Sequence, residues 1–456
     1  MEILYTIFAF LLLIGIVVTI HEAGHFFTAI SSGMKIVEFS VGFGPKIIQR
    51  KIGKDQVLFT LRALPLGGYV KPLDESLMSK EEWAVLPEIE KKRSFMNSPR
   101  WKKAAMVAGG PASNFVLAFI LFFIAFTVVG SQGLPPIVGE IIQDSPFGKS
   151  GIVKGDVIKE INGKTVNFSS DTNGLIINAA IGGEVIDVVT ERNSKHTINF
   201  KDLNLHKLKD DLGLLTGVYF QGQTGSIAFK KIFDDGSAAQ AGFKVGDILV
   251  SINGMEINDL NKALRVFRQN PGKTMDVTYI RDGVTATKKI EVIPTFESGF
   301  TVGKIGVEIE SKGENKFKTV HFGLFEGLSN SANYVATSTW MNLVSIKKLI
   351  TGELSVKTLS GPLSIADYSG KSAKKGLYTY LIMMATISIA VGVFNLLPIP
   401  MLDGGHLLQY GIEGIIRKDF TVKQLAFMNY IGYLSMISFF IFAFVNDINK
   451  YLGFLG

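Results

Sequence analysis

The chain has 456 residues, of which 47% are hydrophobic and 19% are charged, and its formal net charge is +7. This length provides for about two to four domains, and the composition excludes a disordered chain and argues against a purely soluble one. Because the sequence contains no cysteine, disulfides, thiolate metal sites and thiol nucleophiles are excluded, and any metal ion must be bound by histidines and carboxylates.

Four stretches contain no charged residue over a length that can cross a bilayer: residues 3–20, 104–130, 376–402 and 424–446. About 20 apolar residues in a helix span a hydrocarbon core of roughly 30 Å. We therefore predict a polytopic α-helical membrane protein with four transmembrane helices. We expect the first helix to be retained rather than cleaved as a signal peptide, because no basic region precedes it and no small-residue cleavage site follows it.

The first predicted helix ends in His21-Glu22-Ala23-Gly24-His25, the H-E-x-x-H pattern. Histidines four residues apart share one helix face, so two imidazoles can reach one ion while Glu22 flanks the open coordination position. This pattern is typical of a zinc site with a glutamate as general base. The alternative interpretation is a polar helix end at the membrane interface.

Residues 31–103 contain 14 Lys and Arg against 8 Asp and Glu, and such a surplus marks the cytoplasmic side of a membrane. Within this segment, residues 37–43 alternate apolar and polar side chains, and residues 57–71 contain Leu64-Pro-Leu-Gly-Gly-Tyr-Val70. These patterns predict a β-hairpin region. We expect membrane lipid, and no nucleic acid, as a partner of the basic surface.

The same orientation places both termini and residues 131–375 outside the cytoplasm. Residues 327–346 are uncharged too, but they contain many Ser, Thr and Asn side chains, which are costly in lipid. We therefore predict an amphipathic surface helix there, with Tyr334 and Trp340 at the interface.

Residues 151–163 and 242–254 repeat a Gly-Asp turn, a short apolar strand and an Asn-Gly turn, 91 positions apart. The repeat resembles PDZ domains of the bacterial protease type, which bind an extended peptide as an added strand. We therefore predict two tandem PDZ-like α+β domains, which bind peptides or ectodomain ends. The alternative is that they are spacers with an unused groove. Gly225-Ser226-Ile227 is a candidate carboxylate-binding loop.

The third predicted helix leads into Asn395-Leu-Leu-Pro-Ile-Pro-Met-Leu-Asp403-Gly404. Pro398 and Pro400 break the helix before Asp403, which allows its carboxylate to turn toward the histidines. With four spans, the first and third run in the same direction, so His21 and Asp403 lie on one side of the membrane. A fifth span would separate them.

Catalytic zinc requires a third protein ligand and an open position. Asp403 is the candidate for this third ligand, and His406 is its rival. The alternative role of Asp403 is to cap a helix.

The H-E-x-x-H pattern in the first span, together with N-x-x-P-x-P-x-L-D-G in the third, resembles the site-2 protease family of intramembrane zinc metalloproteases. The resemblance implies one zinc ion per chain, bound by His21, His25 and Asp403, with Glu22 as the catalytic acid and base. It also implies cleavage of transmembrane protein substrates, such as an anti-sigma factor after a first cleavage, or signal-peptide remnants. The inner membrane is the implied location, with PDZ-like domains in the periplasm and an active site near the cytoplasm.

Further residues are expected to bind the substrate by the same resemblance. Asn395 matches the motif residue that holds the substrate backbone, and Asn114 ends the stretch Gly109-Gly-Pro-Ala-Ser-Asn114, which otherwise reads as a helix-packing motif. The β region resembles the membrane-reentrant loop of the family. The expected substrate-binding residues are Asn395, Asn114, Pro398, Gly67, Gly68 and Tyr69.

The predicted order of segments follows from these patterns. It is 1–30, the first transmembrane helix; 31–103, a cytoplasmic or reentrant β region; 104–130, the second helix; 131–221 and 222–310, the PDZ-like domains; 311–375, an amphipathic helix and linker; 376–402, the third helix; 403–423, a cytoplasmic loop; and 424–447, the fourth helix.

Two functions from other classes remain as alternatives. A non-catalytic membrane tether that presents two peptide-binding domains explains the repeat but leaves Glu22 and its neighbours without a role. A transporter with an ion site at the membrane midplane suits a broken helix, but four spans without an inverted repeat argue against it.

Overall fold

The computed structural model of the protein describes residues 2–201, 216–297, 300–313, 317–352 and 361–452. The chain divides into two compact units. Unit 1 comprises Met1–Ser131 and His321–Gly456, and unit 2 comprises Gln132–Val320.

Unit 1 is mainly helical, and unit 2 contains more strand than helix. The helices are α1 Glu2–Ser31, α2 Lys80–Ala84, α3 Glu88–Lys91, α4 Arg100–Ile124, α5 Ser169–Gly182, α6 Ser237–Gln240, α7 Leu260–Arg268, α8 Leu324–Ile350, α9 Pro362–Lys374, α10 Leu377–Asn395, α11 Asp403–Ile416 and α12 Val422–Leu452. The strands are β1 Ile36–Ile52, β2 Val57–Pro72, β3 Ser131–Gly133, β4 Val138–Ile141, β5 Ile158–Ile161, β6 Lys164–Thr165, β7 Val185–Thr190, β8 Lys195–Asn199, β9 Val218–Phe220, β10 Ile227–Ile232, β11 Ile248–Ile252, β12 Met255–Glu256, β13 Thr274–Arg281, β14 Val284–Glu291, β15 Ile293–Glu297, β16 Phe300–Lys304, β17 Val307–Ser311 and β18 Lys318–Val320.

Four of the described helices are long and apolar enough to cross a membrane, which confirms the four predicted spans. They are α1, α4 with its continuation to Gly130, α10 and the Val422–Ile448 part of α12. Helix α4 begins at Arg100, four residues before the predicted start, because its first turn is basic and extends beyond the apolar stretch. Helix α8 covers the predicted amphipathic segment, with Trp340 65% exposed and Tyr334 packed on the rings of Phe122 and Phe126.

Helices α1 and α4 approach each other closely at the level of the H-E-x-x-H pattern. A Cβ atom at Gly24 would overlap the main chain of Gly109, so the two helix backbones are in contact there. Ser113 Oγ donates a hydrogen bond to the Ile20 carbonyl at 2.8 Å. Small residues allow such contacts between membrane helices, and this one fixes α1 against the Gly109–Asn114 stretch.

The two long strands of the hairpin, β1 and β2, each contribute two segments to a small sheet of four segments. Glu38 lies opposite both Leu58 and Lys71, and residues 46–52 pair with residues 57–62 on the other side. The segments therefore lie in the order 46–52, 57–62, 36–43 and 64–72. The last segment pairs on only one side among the described strands. The two strands thus pair as a hairpin, and residues 64–72 form an edge strand; the association of this region with the membrane stays a prediction.

Helix α10 ends at Asn395, and α11 begins at Asp403. The predicted break at Pro398 and Pro400 is therefore present. Within the segment predicted as a cytoplasmic loop, residues 403–423, residues 403–416 are helical. An acidic residue in the first turn favours a helix N-terminus, and Asp403 occupies that position.

Unit 2 contains two lobes, each with its own buried core. Lobe 1 comprises β4 to β9 with α5, and its strands form the sheet β6-β5-β7-β8 and the pair β4-β9. Lobe 2 comprises β10 to β17 with α6 and α7, and its main sheet has the order β14-β13-β11-β10-β17. A cavity of about 960 Å³ lies between the lobes.

The two copies of the sequence repeat, residues 151–163 and 242–254, make the same side-chain hydrogen bond in the two lobes. Asn162 and Asn253 both have φ near 49°, and their side chains accept hydrogen bonds from Asp187 N and Asp276 N at 2.8 and 2.7 Å. Asparagine tolerates this left-handed conformation better than most residues. Each lobe therefore closes the same turn with the same side chain, as two copies of one domain would.

The expected carboxylate-binding loop at Gly225-Ser226-Ile227 is wrong. Strand β10 contains Ile227 and pairs with β11 on one side and β17 on the other. At Ile227 and Ala228, where β10 is paired on both sides, no free edge is left to which a peptide could be added. Strands β14 and β17 are instead the edges of this sheet.

Lobe 2 contains a buried ion pair that we expect to make its stability depend on pH. Arg281 donates two hydrogen bonds of 2.6 Å to Asp247, which is buried and also accepts one from Lys244 N at 2.8 Å. Burial opposes ionisation, but the hydrogen bonds from Arg281 and Lys244 N outweigh it and hold the pKa of Asp247 below its usual value. A lowered carboxyl pKa contributes stability above the unfolded-state pKa of ~4, and this contribution is lost as the pH falls through the folded-state pKa.

We predict that Asp247→Ala destabilises lobe 2 by about 1–3 kcal/mol at neutral pH, because it removes the hydrogen bonds that Asp247 accepts from Arg281 and Lys244 N. Hydrogen exchange of the full-length protein, followed by peptide mass analysis over residues 227–311, measures this loss. The exposed Asp276→Asn in the same lobe is the control. Equal protection in Asp247→Ala and in the control would contradict the assignment.

Candidate metal centre

The two histidines of the H-E-x-x-H pattern lie on one face of α1. Their Nε2 atoms are 3.2 Å apart, and the ring planes are inclined at 85°. His21 is buried, and His25 is partly buried. The helical spacing therefore brings two ring nitrogens to one point, as the sequence predicts.

Asp403 completes this cluster from the other end of the chain. One of its carboxylate oxygens lies 3.2 Å from His21 Nε2, and the other lies 3.6 Å from His25 Nε2. The turn between α10 and α11 places it there, as the first residue of α11. Among the described residues, His21, His25 and Asp403 form the one group of three or more possible ligands that could hold a metal ion.

The spacing of these atoms fits zinc. Tetrahedral ligands at ~2.0–2.1 Å from the ion lie about 3.3 Å from one another. The two Nε2 atoms are 3.2 Å apart, His21 Nε2 is 3.2 Å from Asp403 Oδ2, and His25 Nε2 is 3.6 Å from the other oxygen, Oδ1. In addition, Asp403 Oδ2 is buried and has no hydrogen-bond partner among the described residues. Two imidazole nitrogens and a carboxylate oxygen are ordinary zinc ligands, so the residues present suit this ion.

The tautomer of His25 follows from its other contact. His25 Nδ1 lies 2.9 Å from the carbonyl oxygen of Met106, which can only accept a hydrogen bond. The neutral ring therefore carries its proton on Nδ1 and directs the lone pair of Nε2 toward the cluster. Such an outer hydrogen bond orients most metal-binding histidines.

Glu22 lies beside this cluster, next to the edge strand of the hairpin. A Cβ atom at Gly68 would come within 2.8 Å of the Glu22 Cγ, so the strand and the glutamate are in contact. Glu22 also lies close enough to His25 and Asp403 for electrostatic interaction with both. The site thus combines three possible metal ligands, a further carboxylate and an extended backbone.

The other predicted residues occupy different positions. Gly67 lies against the Phe43 ring, and Tyr69 Oη accepts a hydrogen bond from Arg62 at 3.2 Å. Asn395 is the partly buried last residue of α10, and Pro398 is exposed in the turn that follows it. The substrate roles of these four residues stay predictions.

Two predicted residues are not members of the group of possible ligands. Asn114 has no exposed surface, and its side chain lies behind His21 rather than in an open site. His406, the rival ligand, lies in α11 with its ring 6.5 Å from that of Tyr410 and outside the group of possible ligands.

The roles of Met106 and Gly110 are absent from the sequence interpretation. Met106 contributes only its main-chain carbonyl, which no side-chain pattern reveals. Gly110 lies where a Cβ atom would come within 2.8 Å of His21 Nε2 and overlap the His25 ring. The spacing of Met106, Gly110 and Asn114 by four residues is a signal that could have placed all three on one face of α4.

Comparison with known proteins gives full-length similarity. The sequence model of peptidase family M50 matches residues 9–439. A Neisseria meningitidis protein, provisionally named a zinc metalloprotease, is 32% identical over 460 residues, which are 99% of this chain and 100% of its own. The regulator of sigma-E protease RseP of Escherichia coli K12 is 28% identical over 455 residues, 98% of this chain and 99% of its own.

One more relative is similar over its full length, and a solved structure is similar over part of the chain. A Vibrio cholerae protein, also provisionally named a zinc metalloprotease, is 30% identical over 460 residues, 98% of this chain and 99% of its own. A solved PDZ domain from Listeria monocytogenes is 18% identical over 20% of this chain and 90% of its own, with a TM-score of 0.17. The description of the two lobes therefore rests on their own strands and contacts.

Proposed function

The chain belongs to peptidase family M50, the site-2 protease family, and on that premise we propose that it is an intramembrane zinc metalloprotease. Its substrates are single-pass membrane proteins, which it cleaves within the transmembrane segment. The observation that carries this proposal is the meeting of His21, His25 and Asp403 beside Glu22, at the spacing of zinc ligands.

Each residue of the site has a distinct task in this proposal. A zinc ion, when bound by His21, His25 and Asp403, lowers the pKa of a water molecule toward ~7 and polarises a carbonyl. Glu22 takes the proton from the attacking water and passes it to the nitrogen of the leaving amine. The close contact between α1 and α4 at Gly24 holds the glutamate and the histidines in register.

The edge strand explains how a helical substrate could be opened. The amides of a transmembrane helix are already hydrogen-bonded within the helix, so cleavage requires local unwinding. Residues 64–72 pair on one side only among the described strands and lie beside Glu22 at Gly68. A substrate added to this edge in extended form would exchange its helical hydrogen bonds for bonds to the strand, next to the metal ligands.

We place the protein in the inner membrane, with unit 2 on the outer side and the site near the cytoplasm. The surplus of basic residues over residues 31–103 supports this orientation. The relatives named regulator of sigma-E protease support an anti-sigma factor as a substrate, cleaved after a first protease has shortened it. Signal-peptide remnants belong to the same chemical class.

The two lobes of unit 2 serve as a filter for the outer part of the substrate in this proposal. Deleting unit 2, Gln132–Val320, should therefore allow a substrate with an intact outer domain to be cleaved about as fast as a shortened one. Gel analysis measures the cleavage rates of the full-length and the shortened substrate, each with the full-length enzyme and with the enzyme that lacks unit 2. If the enzyme without unit 2 still does not cleave the full-length substrate, the filter is not in unit 2.

The proposed activity is tested with purified protein in detergent and a single-pass substrate. We expect one new cleavage site inside the transmembrane segment, loss of cleavage with a zinc chelator, and recovery with added zinc. Cleavage that persists unchanged in the chelator would contradict a zinc protease. If the protein binds zinc but cleaves no membrane substrate, the result would favour the alternative function, a non-catalytic membrane tether that presents two peptide-binding domains.

A further inference from the structure

One face of α4 lies against both histidines of the metal centre. His25 Nδ1 contacts the Met106 carbonyl at 2.9 Å, and the side-chain nitrogen of Asn114 lies 3.1 Å from His21 Nδ1. Gly110 lies midway between the two, and it lacks the Cβ atom that would collide with both rings. Met106 and Asn114 therefore contact the Nδ1 atoms of the two rings, whereas Asp403 lies at their Nε2 atoms.

Asn114 has a buried polar atom without a partner. The residue has no exposed surface, and its Oδ1 has no hydrogen-bond partner among the described residues. The contact with His21 Nδ1 is the one hydrogen bond of this amide among the described residues. The oxygen and nitrogen of an amide are close in size and are assigned from their contacts, so a half-turn of the amide places Oδ1 against His21 Nδ1.

The two amide orientations require different tautomers of His21. An amide nitrogen beside Nδ1 requires a lone pair there, which puts the ring proton on Nε2, toward Asp403 and His25. An amide oxygen beside Nδ1 accepts the ring proton there and leaves the lone pair of Nε2 directed at the cluster. Only the second arrangement suits a metal ligand, and it is the tautomer that Met106 imposes on His25.

We propose that Asn114 is a positioning residue for His21: its side-chain oxygen accepts a hydrogen bond from Nδ1–H and fixes the tautomer and the ring orientation. This inference rests on the proposed zinc site. It places Asn114 behind the metal rather than against the substrate. Helix α10 holds it there, because Ser388 Oγ donates to the Asn114 carbonyl at 2.9 Å and Gly392 leaves room for its Cβ.

The test compares zinc affinity rather than activity. Asn114→Leu keeps the branched shape and removes the acceptor, and Asn114→Asp keeps an acceptor oxygen. Zinc dissociation constants are measured on the full chain in detergent by competition with a chelator, and cobalt is used as a probe of ligand geometry by its visible absorption. Ser388→Ala is the matched control, because it removes only the hydrogen bond to the Asn114 main chain and keeps the side-chain amide and its contact with Gly392.

We expect Asn114→Leu to weaken zinc binding by about 10–100-fold and to alter the cobalt spectrum, as outer-shell substitutions do. Asn114→Asp and Ser388→Ala should stay within about threefold of the unsubstituted protein, a small part of that range. Unchanged zinc affinity and cobalt spectrum in Asn114→Leu would overturn the inference, and a simultaneous loss of cleavage would assign Asn114 to the substrate. If the unsubstituted protein binds no zinc, the proposed function itself fails.

A second measurement needs no substitution and so does not depend on the variants folding. Nitrogen NMR of zinc-free protein labelled at its six histidines, at about pH 8 where an ordinary histidine is neutral, distinguishes the tautomers. His21 should carry its proton on Nδ1, as His25 does. A His21 signal with the proton on Nε2 would overturn the inference.

Discussion

Glu22→Gln should abolish most of the cleavage activity while leaving zinc bound. Glutamine has the shape of glutamate but cannot take a proton from water or return it to the leaving amine. General acid and base catalysis contributes about 10²–10⁴-fold, so we expect a loss of that size in the cleavage rate. Metal analysis of the same preparation should still give about one zinc per chain, because one ion needs the three ligands and Glu22 is not among them.

Glu2→Gln provides the matched control for this prediction. Glu2 lies at the other end of α1, where it forms an exposed ion pair with Lys374. Removing its charge leaves the cluster of His21, His25 and Asp403 intact, so both zinc content and cleavage should be retained. Cleavage that persists in Glu22→Gln would remove the glutamate from the reaction and with it the proposed mechanism.

Asp403→Ala should lose the metal ion, whereas His406→Ala should keep it. Asp403 supplies the only carboxylate within reach of both histidines among the described residues. Two histidines alone hold zinc weakly, since protein zinc sites use at least three ligands. We expect zinc content to fall from about one per chain to near zero in Asp403→Ala, and cleavage to fall with it.

The His406→Ala variant is the control that distinguishes loss of a metal ligand from a general disturbance of α11. His406 lies one turn after Asp403 on the same helix, with its ring near Tyr410. Elemental analysis of the two purified variants, after dialysis against a weak chelator, gives the comparison. Zinc retained in Asp403→Ala and lost in His406→Ala would assign the third ligand to the histidine.

The membrane spans and the ligand set could be predicted from sequence for simple physical reasons. A span needs only enough consecutive apolar residues, so α1, α4, α10 and α12 are visible without knowledge of their neighbours. Histidines four residues apart must share a helix face. With four spans, the first and third helices cross the membrane in the same direction. The C-terminal ends of these two helices must therefore lie on the same side of the membrane.

The remaining features depend on pairings between distant residues. Glu38 pairs with Leu58 on one side and with Lys71 on the other, because the hairpin bends back and pairs with itself. An alternating pattern of apolar and polar residues does not encode this bend. The main sheet of lobe 2 has β14 and β17 at its edges and β10, which follows Gly225, between two other strands, since strand order within a sheet is a tertiary property. Asn114 is a polar residue in an apolar helix, and only the packing of α1 against α4 gives it a partner.

Unit 1 consists of two stretches of chain that are joined through unit 2, and the ligand set is divided between them. The stretch Met1–Ser131 contains His21, Glu22 and His25, and the stretch His321–Gly456 contains Asp403. A single backbone cut within unit 2 would leave two membrane-embedded fragments, each unable to form the site alone. Produced together in one cell, they would be complementary halves, and recovery of activity would report their reassembly.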